Sequence, residues 1–155
     1  MLRTSLITTA LLLLTGHTCL ASDTNIPVHE KRGETLYVAG QIQGYGTTEF
    51  LIDTGASYLA INQDMLKILQ QGGHAKFLRK LNGTMADGRR NTVPIYSISG
   101  IVIGDNCVLS NVEAAVLPGN TRNILGLSAL RRTAPFTLSM DPPALSLNGC
   151  EKPQA

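Results

Sequence analysis

Between two apolar runs the chain carries Phe50-Leu51-Ile52-Asp53-Thr54-Gly55-Ala56-Ser57, which sets one carboxylate, one hydroxyl and one glycine side by side. Large and β-branched residues on both sides of a turn signal mark buried strands, so the triplet Asp53-Thr54-Gly55 is carried into the protein. Burying polar groups costs free energy unless their hydrogen bonds are met. Two explanations fit. The carboxylate is presented for acid–base chemistry, or it closes an Asx-type turn by bonding its own backbone. Metal chemistry is not indicated, because His29 and His74 stand apart and no Cys/His cluster accompanies either. No cofactor is expected.

The elements around Asp53 must hold it. Leu36, Val38, Gly40 and Ile42 alternate with Tyr37, Ala39 and Gln41 at the period of a strand. Turn residues Gly44-Tyr45-Gly46-Thr47 follow, and Thr48 to Ile52 returns, so a hairpin delivers Asp53 at a strand end. Asn62 reads as the N-cap of a helix through Gln70, ended by Gly72-Gly73. Residues 74–83 read as loop. A hairpin over Asn82–Ile95 has its tip near Asp87-Gly88, and strands at 96–99 and 101–103 are separated by Gly100.

Val112 to Leu117 forms another strand. In Ile124-Leu125-Gly126 a buried strand runs into a glycine, which predicts close approach to another backbone before the chain turns into a helix. Phe136, Leu138 and Met140 alternate, Asp141-Pro142-Pro143 turns, and Leu145 and Leu147 return. The sum is an all-β domain, a partly closed barrel with one or two short helices.

At 155 residues the chain is one domain in size. A formal charge of +2 with 15% charged residues excludes an electrostatic nucleic-acid binder. Residues 1–21 resemble an export signal: Arg3, an apolar stretch from Leu6 to Leu14, and Cys19-Leu20-Ala21 before a cut at Ser22. That stretch is too short to span a bilayer, so the expectation is export, to the periplasm or outside, with no transmembrane span in the mature protein. Lipid anchoring through Cys19 fits less well, since His17-Thr18 departs from the small residues that precede a lipoprotein cysteine. Cleavage leaves Cys107 and Cys150, either a disulfide in an oxidising compartment or two buried thiols. Residues 22–34, polar and broken by Pro27, read as a flexible N-terminal arm, 35–148 as the domain and 149–155 as a C-terminal tail.

Taken together, Phe50 to Ser57, the Asp87-Gly88 hairpin and Ile124-Leu125-Gly126 resemble the retropepsin-like aspartic proteases, over roughly residues 35–148. The closest likeness is to exported bacterial members with a single Asp-Thr-Gly. The resemblance implies a retropepsin-like (acid protease) barrel and an aspartic endopeptidase acting on a peptide or protein substrate, with Asp53 catalytic. It implies support from Thr54, Gly55 and Ser57, the last bonding the outer carboxylate oxygen, and a flap at Met85, Ala86, Asp87 and Gly88. Ile124, Leu125 and Gly126 are then the structural strand.

The five other aspartates of the mature chain lack the motif, so the resemblance implies a homodimer with two Asp53 carboxylates at a two-fold axis. The chain departs from the family in a basic flap, with Arg89-Arg90, and in termini that do not read as dimer-sealing strands. A non-catalytic module of the same fold, binding an extended peptide or partner by strand addition, is the alternative. A purely structural turn at Asp53 is the third reading.

Overall fold

The computed structural model describes residues 24–31, 34–84 and 88–151. The export signal with Cys19, the flap-tip residues Met85, Ala86 and Asp87, and the last four residues of the tail lie outside the described residues.

Ten strands are described: β1 (Thr24–Lys31), β2 (Thr35–Ile42), β3 (Gly46–Ile52), β4 (Leu59–Asn62), β5 (Ala75–Thr84), β6 (Arg90–Ile103), β7 (Cys107–Leu117), β8 (Ile124–Leu125), β9 (Phe136–Met140) and β10 (Pro143–Leu147). Two helices, α1 (Gln63–Gln71) and α2 (Leu127–Leu130), and a 3-10 turn at Arg131–Thr133 complete the fold. The sheet runs β5-β6-β7-β4-β8-β3-β2-β1-β10-β9, and an added β6–β2 pairing at Gly40↔Ile103 and Ile42↔Ile101 closes six of the strands into a ring. The barrel expected from the sequence is therefore present. β5 extends the sheet beyond β6, and the β1-β10-β9 group extends it beyond β2.

Alternation fills the ring. Phe50, Ile42, Ile61, Ile98, Ile101, Ile103, Leu109 and Leu125 are almost wholly buried and belong to one core cluster. At roughly 1.5–3 kcal/mol per large apolar side chain, this cluster is the main force holding the barrel shut. Helix α1 closes one end with Met65, Leu66 and Leu69, and the Asn62 side chain accepts from the Met65 N–H at 2.9 Å as its cap. Cys107 and Cys150 are joined by a disulfide, which ties the chain beyond β10 to the start of β7.

Three expectations are corrected. The supposed flexible N-terminal arm contains strand β1: Thr24–Pro27 pair with β10 and Val28–Lys31 with β2. Pro27 sits where the strand changes ladders, a position that tolerates its missing N–H. Ile26 and Val28 face the core, while on the outer side His29 and Lys31, two of the polar residues that suggested a linker, meet Glu49 of β3. The residues expected as loop, 74–83, form most of β5, whose bulge between Phe77 and Arg79 disrupts the period that marks a strand. Nor does Gly100 break β6. It stays in register opposite Ser110, and its bare Cα admits Gln43, whose Oε1 would lie 3.0 Å from a Cβ there.

Candidate active site

Strand β3 ends at Ile52, and Asp53 opens the loop that follows. Its N–H donates to the Leu125 carbonyl at 3.2 Å, and its own carbonyl accepts from Ala56 N–H at 3.2 Å. The carboxylate oxygen Oδ1 accepts from the Gly55 N–H at 2.8 Å. A Cβ on residue 55 would stand 3.1 Å from that oxygen, so glycine gives the amide its unobstructed approach. Asp53 is half-buried, while Thr54, Gly55 and Ser57 are exposed.

The loop is buttressed from behind. Strand β8 lies parallel to β3, with Leu51 opposite Ile124 and Ile52 opposite Leu125. Leu127 N–H donates to the Ala56 carbonyl at 2.8 Å, and Gly126 is pressed so closely that a Cβ would fall 2.1 Å from the Tyr58 carbonyl oxygen. The close backbone approach expected at Ile124-Leu125-Gly126 is thus against the Asp53 loop itself. Ser128 Oγ accepts from Leu59 N–H and donates to the Glu113 carbonyl, both at 2.7 Å, which fixes the loop's far end.

Over this loop lies a cleft of about 630 Å³ whose lining includes Asp53, Leu81, Val93, Ile95, Leu117 and Ile124. Leu81 belongs to β5, Val93 and Ile95 to β6. The arms of the hairpin therefore enclose the same space as the carboxylate, in the position of a flap. Gly88, at the described edge of its tip, has φ +81°, where a side chain would be strained.

Among the described residues the Asp53 carboxylate accepts one hydrogen bond, from Gly55, and Ser57, an exposed residue, lines the same cleft. The Ala56 backbone is held to both Asp53 and Leu127.

Sequence reasoning also missed an ion-paired cluster at the side of the cleft. Arg79 of β5 grips Glu113 of β7 with two hydrogen bonds, at 2.9 and 2.6 Å, and reaches the Tyr58 hydroxyl at 3.3 Å. The Arg79 hydrogen bonds hold the Glu113 carboxyl below its ordinary range, against a smaller opposing effect of burial. One guanidinium thus joins the flap arm, the barrel and the Asp53 loop. A lone acid inside the apolar run Val112 to Leu117 is the sequence signal that could have found it. Among the described residues no group of three or more His, Cys, Asp or Glu could hold a metal ion, and no helix is long and apolar enough to cross a membrane.

Residues 38–132 match the family described as "gag-polyprotein putative aspartyl protease". No curated protein matches the chain. Among solved structures, a retropepsin-like aspartic protease from Rickettsia conorii is similar at a TM-score of 0.56 and 23% identity, covering 82% of this chain and 90% of that one. That likeness shows the fold. The family match takes in the Asp53 loop, both arms of the hairpin and the Ile124-Leu125-Gly126 buttress, and by it this chain belongs to the retropepsin-like aspartic protease family.

Proposed function

We propose that this chain is an exported, homodimeric aspartic endopeptidase that hydrolyses peptide bonds between two Asp53 carboxylates. The observation that carries the reading is Asp53 itself, held by the Gly55 N–H at 2.8 Å on a buttressed loop at the floor of a cleft. Hydrolysis without a covalent intermediate needs a base for water and an acid for the substrate carbonyl. Two carboxylates about 3 Å apart repel by roughly 5 kcal/mol at an effective dielectric near 20, so the pair keeps one proton. Aspartic proteases are the standard example of such a pair, which titrates as a unit.

The ionised Asp53 takes a proton from water as the oxygen attacks the carbonyl carbon, and the protonated one gives its proton to the carbonyl oxygen. Collapse of the tetrahedral diol returns a proton through the pair to the leaving nitrogen, and the C–N bond breaks. In this reading Thr54, an exposed residue, braces the loop of the second copy. The apolar walls from Leu81, Val93 and Ile124 suit apolar substrate side chains, and the hairpin arms suit an extended backbone. The Cys107–Cys150 disulfide supports an oxidising destination.

The test is incubation of the purified mature protein with a diverse peptide library across pH. Wild type cleaves. Asp53→Asn keeps its thermal transition and sedimentation but loses cleavage; undiminished turnover by that variant contradicts the mechanism.

A further inference from the structure

A second hollow, of about 350 Å³, adjoins the cleft, and Ser57 and Tyr58 line both. Asp53 and Gly55 line the cleft but not the hollow. The hollow is therefore placed to receive a substrate residue away from the cleaved bond.

Three charged side chains line it, Glu113, Arg131 and Arg132. Glu113 is gripped by Arg79 through two hydrogen bonds, at 2.9 and 2.6 Å. Arg132 pairs with Glu151 and donates to the Ser110 carbonyl at 2.5 Å. Arg131 has no ion-pair partner among the described residues. The charges of Glu113 and Arg132 are thus answered within the protein, and the one left over is positive. Its backbone is anchored: Arg131 lies between the buried Leu130 and Thr133, and the Thr133 hydroxyl donates to the Leu130 carbonyl at 2.9 Å. Arg131 itself is exposed.

We propose that this hollow is a subsite for an acidic side chain of the substrate, with Arg131 as the residue that recognises it. The proposal rests on the aspartic-protease reading and narrows its substrate class to peptides with Glu or Asp outside the pair of residues flanking the cleaved bond. A guanidinium meets a carboxylate with two parallel N–H···O bonds, and the Ser57 hydroxyl is a further donor on the shared wall. A lysine entering the same hollow would be repelled. Because Arg131 is exposed, its pair with a carboxylate is screened, and the expected preference is only about two- to five-fold.

A cleaved library peptide is rebuilt with Glu, Gln or Lys in turn at each position outside the flanking pair, and kcat/KM is measured for wild type, Arg131→Gln and Arg131→Glu. Binding of the same peptides to Asp53→Asn protein, with and without Arg131→Gln, is followed by fluorescence anisotropy; if nothing is cleaved, the library peptides themselves are used. The expected result is a position at which wild type favours Glu over Gln, a difference that Arg131→Gln removes, that Arg131→Glu turns toward Lys, and that raised salt shrinks. Each preference is a ratio within one protein, so a loss of folded material cancels. No preference for Glu in cleavage or in binding, or one that Arg131→Gln leaves unchanged, overturns the proposal. Cleavage without that preference leaves the protease reading standing and the subsite fallen. If wild type cleaves nothing, but acidic peptides bind more tightly and Arg131→Gln abolishes their advantage, the subsite stands and the protease reading falls.

Discussion

The two halves of the cleft are held in opposite ways. Its floor, the Asp53 loop, is fixed by buried backbone: Asp53 N–H on Leu125, Leu127 N–H on Ala56, and Gly126 against the Tyr58 carbonyl. Its cover is the projecting end of β5 and β6, where most of the described residues between Asn82 and Thr92 are exposed and Arg79 links the arm to the floor through its side chain. Buried contacts between backbones leave a loop little choice of position, whereas an exposed two-stranded arm opens at small cost. The difference suits a reaction in which the carboxylate must be preorganised and the substrate must be admitted.

Breaking the rigid half has the larger effect. Gly126→Ala puts a methyl where only 2.1 Å separates it from the Tyr58 carbonyl, so the Asp53 loop must shift. Displacement on the order of 1 Å in a reacting group lowers turnover by about 10²-fold, and kcat on a cleaved peptide should fall accordingly. A variant with wild-type kcat would show that the buttress does not position Asp53.

Loosening the cover acts differently. Arg79→Met frees the arm without touching Asp53, so KM should rise several-fold while kcat changes little, and Arg79→Lys should restore only part because it cannot make the paired contact with Glu113. A fall in kcat with constant KM would place Arg79 in the chemistry instead. The smallest effect is with pH. Glu113 is held low by Arg79, so its contribution is complete above the unfolded carboxylate value of roughly 4.3 and is lost as pH falls through the lower folded value. Amide exchange along β5 should therefore quicken only below that range, and in Arg79→Met this acid dependence should vanish. The pair is about two-fifths exposed, which keeps the effect modest.

Much of the rigid half was legible in the sequence and little of the cover. Asp53, its strand end and the glycine of Ile124-Leu125-Gly126 are local signals, since apolar runs and a glycine carry their meaning within a few residues. The Asn62 cap and the closing hairpin at Phe136–Leu147 are local in the same sense. β1 was hidden because His29, Glu30 and Lys31 look like a solvated linker until Glu49 is seen opposite. β5 was hidden by its bulge and its lysines. The Arg79–Glu113–Tyr58 contacts join residues 34 and 21 positions apart, a relation that only the closed barrel creates.

On the proposed dimer mechanism one Asp53 is half of a site, and a mixing experiment puts this to the test. Wild type is held at constant concentration, re-equilibrated with increasing Asp53→Asn protein, and assayed for cleavage while sedimentation follows the dimers. Cleavage per wild-type chain is expected to fall as mixed dimers replace wild-type pairs. Cleavage that stays constant while mixed dimers form would show that a single Asp53 suffices.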